Sequence, residues 1–230
     1  MQVLILAGGL GTRLRPITET IPKCLVPVAG KPFLEHLISK MAGSGIQDFV
    51  IAVGYLAEQI QDYFKDGSQW NVRIRYSVEN PPRGTGGALD QAKGFLADEF
   101  LFLNGDNLVH LDYSKLIKHF LAHPSWVGAM AIFDDHETKF RKNVSWDPNT
   151  DEIQQYDYND ATGKNCVDAG VKIFRKTILN YLPSKQKFSL EEEVLPQLAC
   201  EGKLGAFHIN SAPIDVGNPK QVEEAEKALK

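Results

Sequence analysis

Short apolar runs alternate with helical periodicities along this chain. Val3 to Leu6 is continuously apolar and stops at Ala7-Gly8-Gly9, which predicts a buried strand opening into a glycine-rich loop. Phe33, Leu34, Leu37, Ile38 and Met41 recur at helical spacing, and Gly43 and Gly45 close that helix. Asp48 to Val53 reads as a second buried strand, Ile60 and Phe64 mark a short helix, and the alternation from Val72 to Val78 predicts a third strand. A second glycine-rich loop leads into a helical pattern through Leu96; a strongly apolar strand follows at Phe100 to Leu103, then a helix from Asp112 to Leu121. Such alternation predicts an α/β fold, a Rossmann-like and mostly parallel sheet flanked by helices.

The pattern changes after the strand predicted at Trp126 to Phe133. Residues 134 to 165 are polar and turn-rich, and Val144, Trp146, Ile153, Tyr156 and Tyr158 predict a small antiparallel excursion. Cys166 to Phe174 restores a strand. Ser189, with Glu192 three residues on, forms a capping box for a helix through Leu198, so Glu191, Glu192 and Glu193 read as helix-start residues. Leu204 to Ile209 is a late strand and Lys220 to Leu229 a final helix.

Composition narrows the class. At 230 residues and 43% hydrophobic, the chain is expected to fold as one domain. A net charge of −4 without a basic block gives a nucleic-acid partner no electrostatic support. Cys24, Cys166 and Cys200 are scattered with no CxxC pair, which argues against zinc and disulfides and for a reducing compartment. No apolar run reaches the length of a membrane span, and Met1 leads directly into a strand, so a cytoplasmic protein is expected. The six histidines, His36, His110, His119, His123, His136 and His208, lie outside the motifs and are expected at the surface or in packing.

The first loop carries the chemistry. Gly8, Gly9 and Gly11 let backbone N–H groups approach an anion closely, while Arg13, Arg15 and, after Pro22, Lys23 add positive charge. A Walker loop would end in Gly-Lys-Ser/Thr, and a dinucleotide fingerprint needs a glycine where Leu14 stands. Asp106 falls at the carboxyl end of a predicted strand, where open α/β sheets bind ligands, and a single Asp of this kind suits Mg²⁺ held jointly with phosphates and water.

The order Leu6-Ala7-Gly8-Gly9-x-Gly11-Thr12-Arg13-Leu14-x-Pro16, followed by Pro22-Lys23-x-Leu25-x-Pro27, resembles the signature of the sugar-1-phosphate nucleotidyltransferases. The likeness covers nearly the whole chain and implies the nucleotide-diphospho-sugar transferase fold, one domain with residues 1–110 or so as a nucleotide-binding half and about 111–230 as a sugar-phosphate-binding half, and the conversion of NTP and sugar 1-phosphate to NDP-sugar and pyrophosphate in a Mg²⁺-assisted in-line attack. It implies that Leu6, Ala7, Gly8, Gly9, Gly11, Thr12, Arg13, Lys23, Glu79, Gly84 and Thr85 bind the nucleotide, with Glu79 at the base edge. Arg13, Lys23 and Asp106 are implied as catalytic, and Asp106 and Asp215 as metal ligands, Asp215 through an Asp-x-Gly-x-Pro turn. Asn104, Asp168 and Gly170 are implied on the sugar-phosphate side, with Asp168 where an Asn is common. Lys172, two residues past Gly170, falls on the same strand face and is expected either to neutralise the sugar phosphate or to be an exposed lysine. The Glu-Lys-Pro triplet of many members is replaced here by Gln154-Gln155-Tyr156.

Among small members the chain is similar to manno-heptose 1-phosphate guanylyltransferases and next to N-acetylmuramate 1-phosphate uridylyltransferases. GTP with a manno-heptose or mannose-type 1-phosphate, serving bacterial envelope polysaccharide synthesis, is the resulting expectation. A uridylyltransferase for an N-acetylated or gluco-type sugar phosphate and a non-catalytic regulatory subunit stay open as alternatives. A second copy of the chain is the one protein partner left open.

Overall fold

The computed structural model describes residues 1–135 and 139–230. From the amino end, β1 (Gln2–Leu6) runs into three short 3-10 turns, Thr12–Leu14, Ile17–Glu19 and Lys23–Leu25. A small hairpin of β2 (Pro27–Val28) and β3 (Lys31–Pro32) precedes α1 (Phe33–Gly43). Then come β4 (Asp48–Val53), α2 (Ala57–Phe64), β5 (Arg73–Val78), α3 (Gly84–Ala92), β6 (Glu99–Asn104), the two-residue β7 (Asn107–Leu108) and α4 (Tyr113–Leu121). The second half holds β8 (Gly128–Phe133), β9 (Val144–Asp147), β10 (Glu152–Tyr156), β11 (Val167–Arg175), α5 (Leu190–Glu193), α6 (Leu195–Cys200), β12 (Leu204–Ile209), β13 (Ile214–Asp215) and α7 (Pro219–Ala228).

Among the described residues nine strands form one sheet in the order β5-β4-β1-β6-β11-β8-β12-β10-β9. The pairs β5-β4, β4-β1, β1-β6 and β8-β12 are parallel, as expected for strands joined by helices. β11 runs antiparallel to both neighbours, β6 and β8. The predicted antiparallel excursion is not a separate sheet: β10 joins the large sheet through Glu152 opposite Gly205, and β9 forms its edge. Tyr158 falls beyond β10 and is exposed.

Sheet residues alternate between two apolar layers. Val3, Ile5, Leu101, Leu103, Val171 and Ile173 face the layer of α1 and α4, while Leu4, Phe100, Phe102 and Phe174 face that of α3, α5 and α6. Side chains such as Phe100, Phe102 and Trp126 are almost wholly buried, each contributing about 1.5–3 kcal/mol on removal from water. The helix expected from Ser189 through Leu198 is two pieces, broken at Val194 because Pro196 sits in the first turn of α6 and has no N–H to donate. Among the described residues no helix is long and apolar enough to cross a membrane.

Candidate active site

Parallel strands β1 and β6 end side by side, and both end in loops that turn into the same space. The N–H of Gly105 donates to Leu6 O at 2.8 Å, and a Cβ on residue 105 would meet that oxygen at 2.9 Å. Only glycine lets Asp106 follow β6 this closely to the first loop, which explains the Gly between Asn104 and Asp106. Gly11 holds φ +60°, and Thr18 Oγ1 donates to its carbonyl at 2.7 Å, which folds the loop back before Pro22 and Lys23.

A cavity of about 330 Å³ opens at these strand ends. Of the residues expected to bind nucleotide, Leu6, Ala7, Gly8, Gly9, Lys23, Glu79, Gly84 and Thr85 line it, and so do Asn104 and Asp106. Gly11, Thr12 and Arg13 lie outside that lining. Gly84, Thr85 and Ala88 bring the amino end of α3 to the wall, where the helix dipole favours an anion. Cys24 also lines the cavity; burial pushes its thiol up to about 12, so it stays protonated and is no nucleophile at neutral pH.

Glu79 is buried at the cavity wall and accepts the Arg83 N–H at 2.9 Å. Burial raises its carboxyl above the ordinary range. Such a carboxyl, held by a single backbone donor, has remaining acceptor capacity for donors on a ligand.

Lys23 forms an ion pair with Asp106 Oδ2 at the cavity mouth. Asp215 is brought beside Asp106 by the two-strand pairing of β7 with β13, which sets Asp215 opposite Asn107, and by the Val216 N–H bond to Asp106 O at 3.1 Å. Burial first, then the charge of Asp106, raises the Asp215 carboxyl above its usual range, while Lys23 and Arg13 pull it down. Arg13 is thereby placed against the same turn, its Nη2 lying 3.0 Å from where a Cβ on Gly217 would stand. Gln221 donates to Asp215 Oδ2 at 3.3 Å, but Asp215 Oδ1 is buried with no hydrogen-bond partner. An orphaned carboxylate oxygen beside a second carboxylate fits a hard divalent cation. Two carboxylates suffice when phosphates complete the shell; among the described residues no group of three or more His, Cys, Asp or Glu side chains gathers anywhere.

The strand expected on the sugar side differs from its reading. Gly170 adopts φ +83°, and a Cβ there would meet Asn107 Nδ2 at 2.7 Å, so its bare face is occupied by a side chain of this protein. Asp168 and Lys172 do not line the cavity: their side chains are 7% and 2% exposed and pair with each other at 2.7 Å. Lys172 is therefore neither an exposed lysine nor a free cation facing the cleft. Ser189 does cap α5, its Oγ accepting the Glu192 N–H at 3.2 Å. Glu191, however, is buried and accepts hydrogen bonds from Thr85 Oγ1 and Ser189 Oγ. The signal for this was present in the spacing, since Glu191 shares a helical face with Val194, Leu195 and Leu198. The described histidines lie in packing or surface positions, such as His123 stacked on Trp126 and His208 on Trp146; His136 lies outside the described residues.

Residues 2–230 match the family model described as nucleotidyl transferase. D-glycero-α-D-manno-heptose 1-phosphate guanylyltransferase of Campylobacter jejuni is 34% identical over 220 residues, covering 96% of each chain. Mannose-1-phosphate guanyltransferase of Schizosaccharomyces pombe is 32% identical over 96% of this chain, which spans 62% of that protein's length. The crystal structure of HddC from Yersinia pseudotuberculosis complexed with GMP-PN superposes with a TM-score of 0.84 at 30% identity, covering 100% of this chain and 99% of that one.

Proposed function

The chain belongs to the nucleotidyl transferase family, and we propose that it transfers a guanylyl group from GTP to a manno-heptose or mannose-type 1-phosphate, releasing pyrophosphate. The observation that carries this reading is the convergence of Lys23, Asp106 and Asp215 at the mouth of a cavity lined by Gly8, Gly9, Glu79 and Thr85. Similarity to two guanylyltransferases and to a structure holding a guanine-named ligand supports the base. Glu79 is chemically suited to it, because guanine offers an N2 amino donor where a carboxyl can accept. The relatives named above favour guanylyl over uridylyl transfer, and retention of Arg13, Lys23, Asp106 and Asp215 speaks against a non-catalytic subunit.

A sugar 1-phosphate is already a nucleophile, since its second pKa of about 6 leaves it largely dianionic at neutral pH. No general base is needed, and Cys24 is held neutral, so a single displacement at the α-phosphorus suffices. What obstructs the reaction is repulsion between two polyanions, and the residues address it by position and charge. The first loop and the amino end of α3 hold the triphosphate. Lys23 meets oxygens of the α-phosphate and of the incoming sugar phosphate, and Arg13 meets the charge that develops on pyrophosphate. Asn104, which lines the cavity, is assigned to the sugar-phosphate side. Asp106 and Asp215 would hold Mg²⁺, which when bound supplies a Lewis acid that neutralises phosphate oxygens. Cytoplasmic action, where GTP is available, belongs to the same reading.

The test is product identification. Incubation with GTP, Mg²⁺ and mannose 1-phosphate or a manno-heptose 1-phosphate should yield a GDP-sugar by mass spectrometry with an equal amount of pyrophosphate. Formation of GDP and inorganic phosphate instead would make the protein a hydrolase and overturn the assignment.

A further inference from the structure

Glu191 is buried without lining the cavity, and the reaction above leaves it unused. Its neighbours Glu192 and Glu193 are exposed, as acidic residues in the first turn of a helix usually are. A buried carboxyl group is costly unless hydrogen bonds replace its water. Two hydroxyls do so here, since Glu191 Oε2 accepts from Thr85 Oγ1 and, at 3.1 Å, from Ser189 Oγ. The Thr85 hydroxyl is thereby committed: its one proton goes to Glu191, and its oxygen accepts the Leu190 N–H at 2.9 Å. Around this pair the loop that opens α3 is fitted to residues 186–190. Gly86 N–H donates to Phe188 O at 3.1 Å and Phe188 N–H to Arg83 O at 3.0 Å. A Cβ on Gly84 would lie 2.6 Å from Phe188 O, one on Gly86 2.1 Å from the Phe188 ring and one on Gly87 2.5 Å from Gln186 O.

Three glycines of this loop thus let another segment of the chain come close, and the two form one unit at the cavity wall. We propose that Glu191 is a positioning residue for the nucleotide: by taking the Thr85 proton it fixes the loop against residues 186–190, so that triphosphate affinity depends on a carboxyl group outside the cavity. The Thr85 hydroxyl has no proton left for a phosphate, and this residue serves the cavity by its place rather than as a hydroxyl donor. The same loop carries Arg83, whose N–H holds the Glu79 carboxyl at 2.9 Å. A shift of the loop therefore disturbs both Thr85 and Glu79, which line the cavity. Helix capping does not account for Glu191, because Ser189 Oγ already accepts the Glu192 N–H at 3.2 Å, and Glu192 and Glu193 supply the first-turn charge.

The inference rests on the nucleotidyl-transfer reading, and the test is made with whichever nucleoside triphosphate the wild-type protein binds. Triphosphate binding is measured calorimetrically with Mg²⁺ and no sugar phosphate, on wild type, Glu191→Met, Thr85→Val and the double variant. Glu191→Met is expected to weaken binding about tenfold, the scale of a buried hydroxyl left without its acceptor, while kcat and the KM for sugar phosphate at saturating triphosphate stay within about threefold. The double variant is expected to be no weaker than the worse single, since both changes break the same hydrogen bond. Triphosphate binding within about twofold of wild type in folded Glu191→Met would overturn the proposal. Equal losses for triphosphate and sugar phosphate would make Glu191 a general structural residue and overturn it, and so would multiplying effects in the double variant. Should Glu191→Met fail to fold, Glu191→Asp, which withdraws the oxygen by one methylene, takes its place in the cycle, with about a threefold loss expected and an unchanged affinity contradicting the proposal. Wild type that binds no triphosphate would overturn the proposed function together with this inference, whereas an unaffected Glu191→Met overturns the inference alone.

Discussion

Replacement of Lys23 by Met removes the cation at the cavity mouth while keeping most of the side chain's bulk. The ion pair with Asp106 spans a boundary, with Lys23 13% and Asp106 32% exposed, so its loss costs stability only about 0–1 kcal/mol. Catalysis is expected to lose far more, because an electrostatic donor aimed at charge that develops in the transition state is worth about 2.7–4 kcal/mol, or 10²–10³ in turnover. Asp215 would also lose one of the two cations that hold its carboxyl down, Arg13 remaining, so the acid limb of the rate profile should move to higher pH. Pyrophosphate release at saturating GTP and sugar phosphate gives kcat, and a thermal melt of the same preparation separates folding from chemistry. Turnover within threefold of wild type, in a variant that melts like wild type, would refute the role given to Lys23.

Asp215 makes a prediction with a definite sign. Its folded pKa is raised, so the native state binds more protons than the unfolded chain between the ordinary carboxyl value and the raised one, and stability falls as pH rises through that window. Asp215→Asn should therefore raise the melting temperature of metal-free protein at neutral pH, lose that advantage at pH below the ordinary carboxyl range, and abolish the stabilisation that Mg²⁺ gives wild type. An Asp215→Asn melt that gains as much from Mg²⁺ as wild type would remove Asp215 from the metal site. Glu79→Gln should cut kcat/KM for GTP about 10- to 100-fold, the worth of hydrogen bonds to a charged acceptor, with much less effect on UTP; equal losses for both would place Glu79 away from the base. Gly205→Ala should lower the melting temperature by several degrees, since a Cβ there would lie 2.2 Å from the Trp126 ring and overpacking costs about 1–3 kcal/mol. An unchanged melt would mean the ring moves aside at no cost.

The apolar runs carried the sheet well: Asp48–Val53 and Leu204–Ile209 occur with the boundaries their patterns predict, because each is mostly buried and flanked by turn residues. Strand direction was not legible. Nothing in Cys166 to Phe174 distinguishes a parallel strand from the antiparallel one observed, and the pairing of Glu152 with Gly205 depends on a partner far away in sequence. Loops with glycine, proline and an isolated charge declared the cavity, since Gly8, Gly9, Lys23, Gly84, Thr85 and Asp106 all line it. Lys172 and Glu191 were misjudged for a shared reason: a lone charge on a strand or at a helix start reads as solvated, whereas the fold buries both, Lys172 against Asp168 and Glu191 against Thr85.

The most direct measurement is pyrophosphate release with Mg²⁺ over a grid of GTP, UTP, CTP, ATP and dTTP against several sugar 1-phosphates, run beside Asp106→Ala. Activity confined to GTP with a manno-configured sugar phosphate, and lost in the variant, is the predicted result. Silence from protein that still binds a nucleotide, or undiminished release by Asp106→Ala, would contradict it.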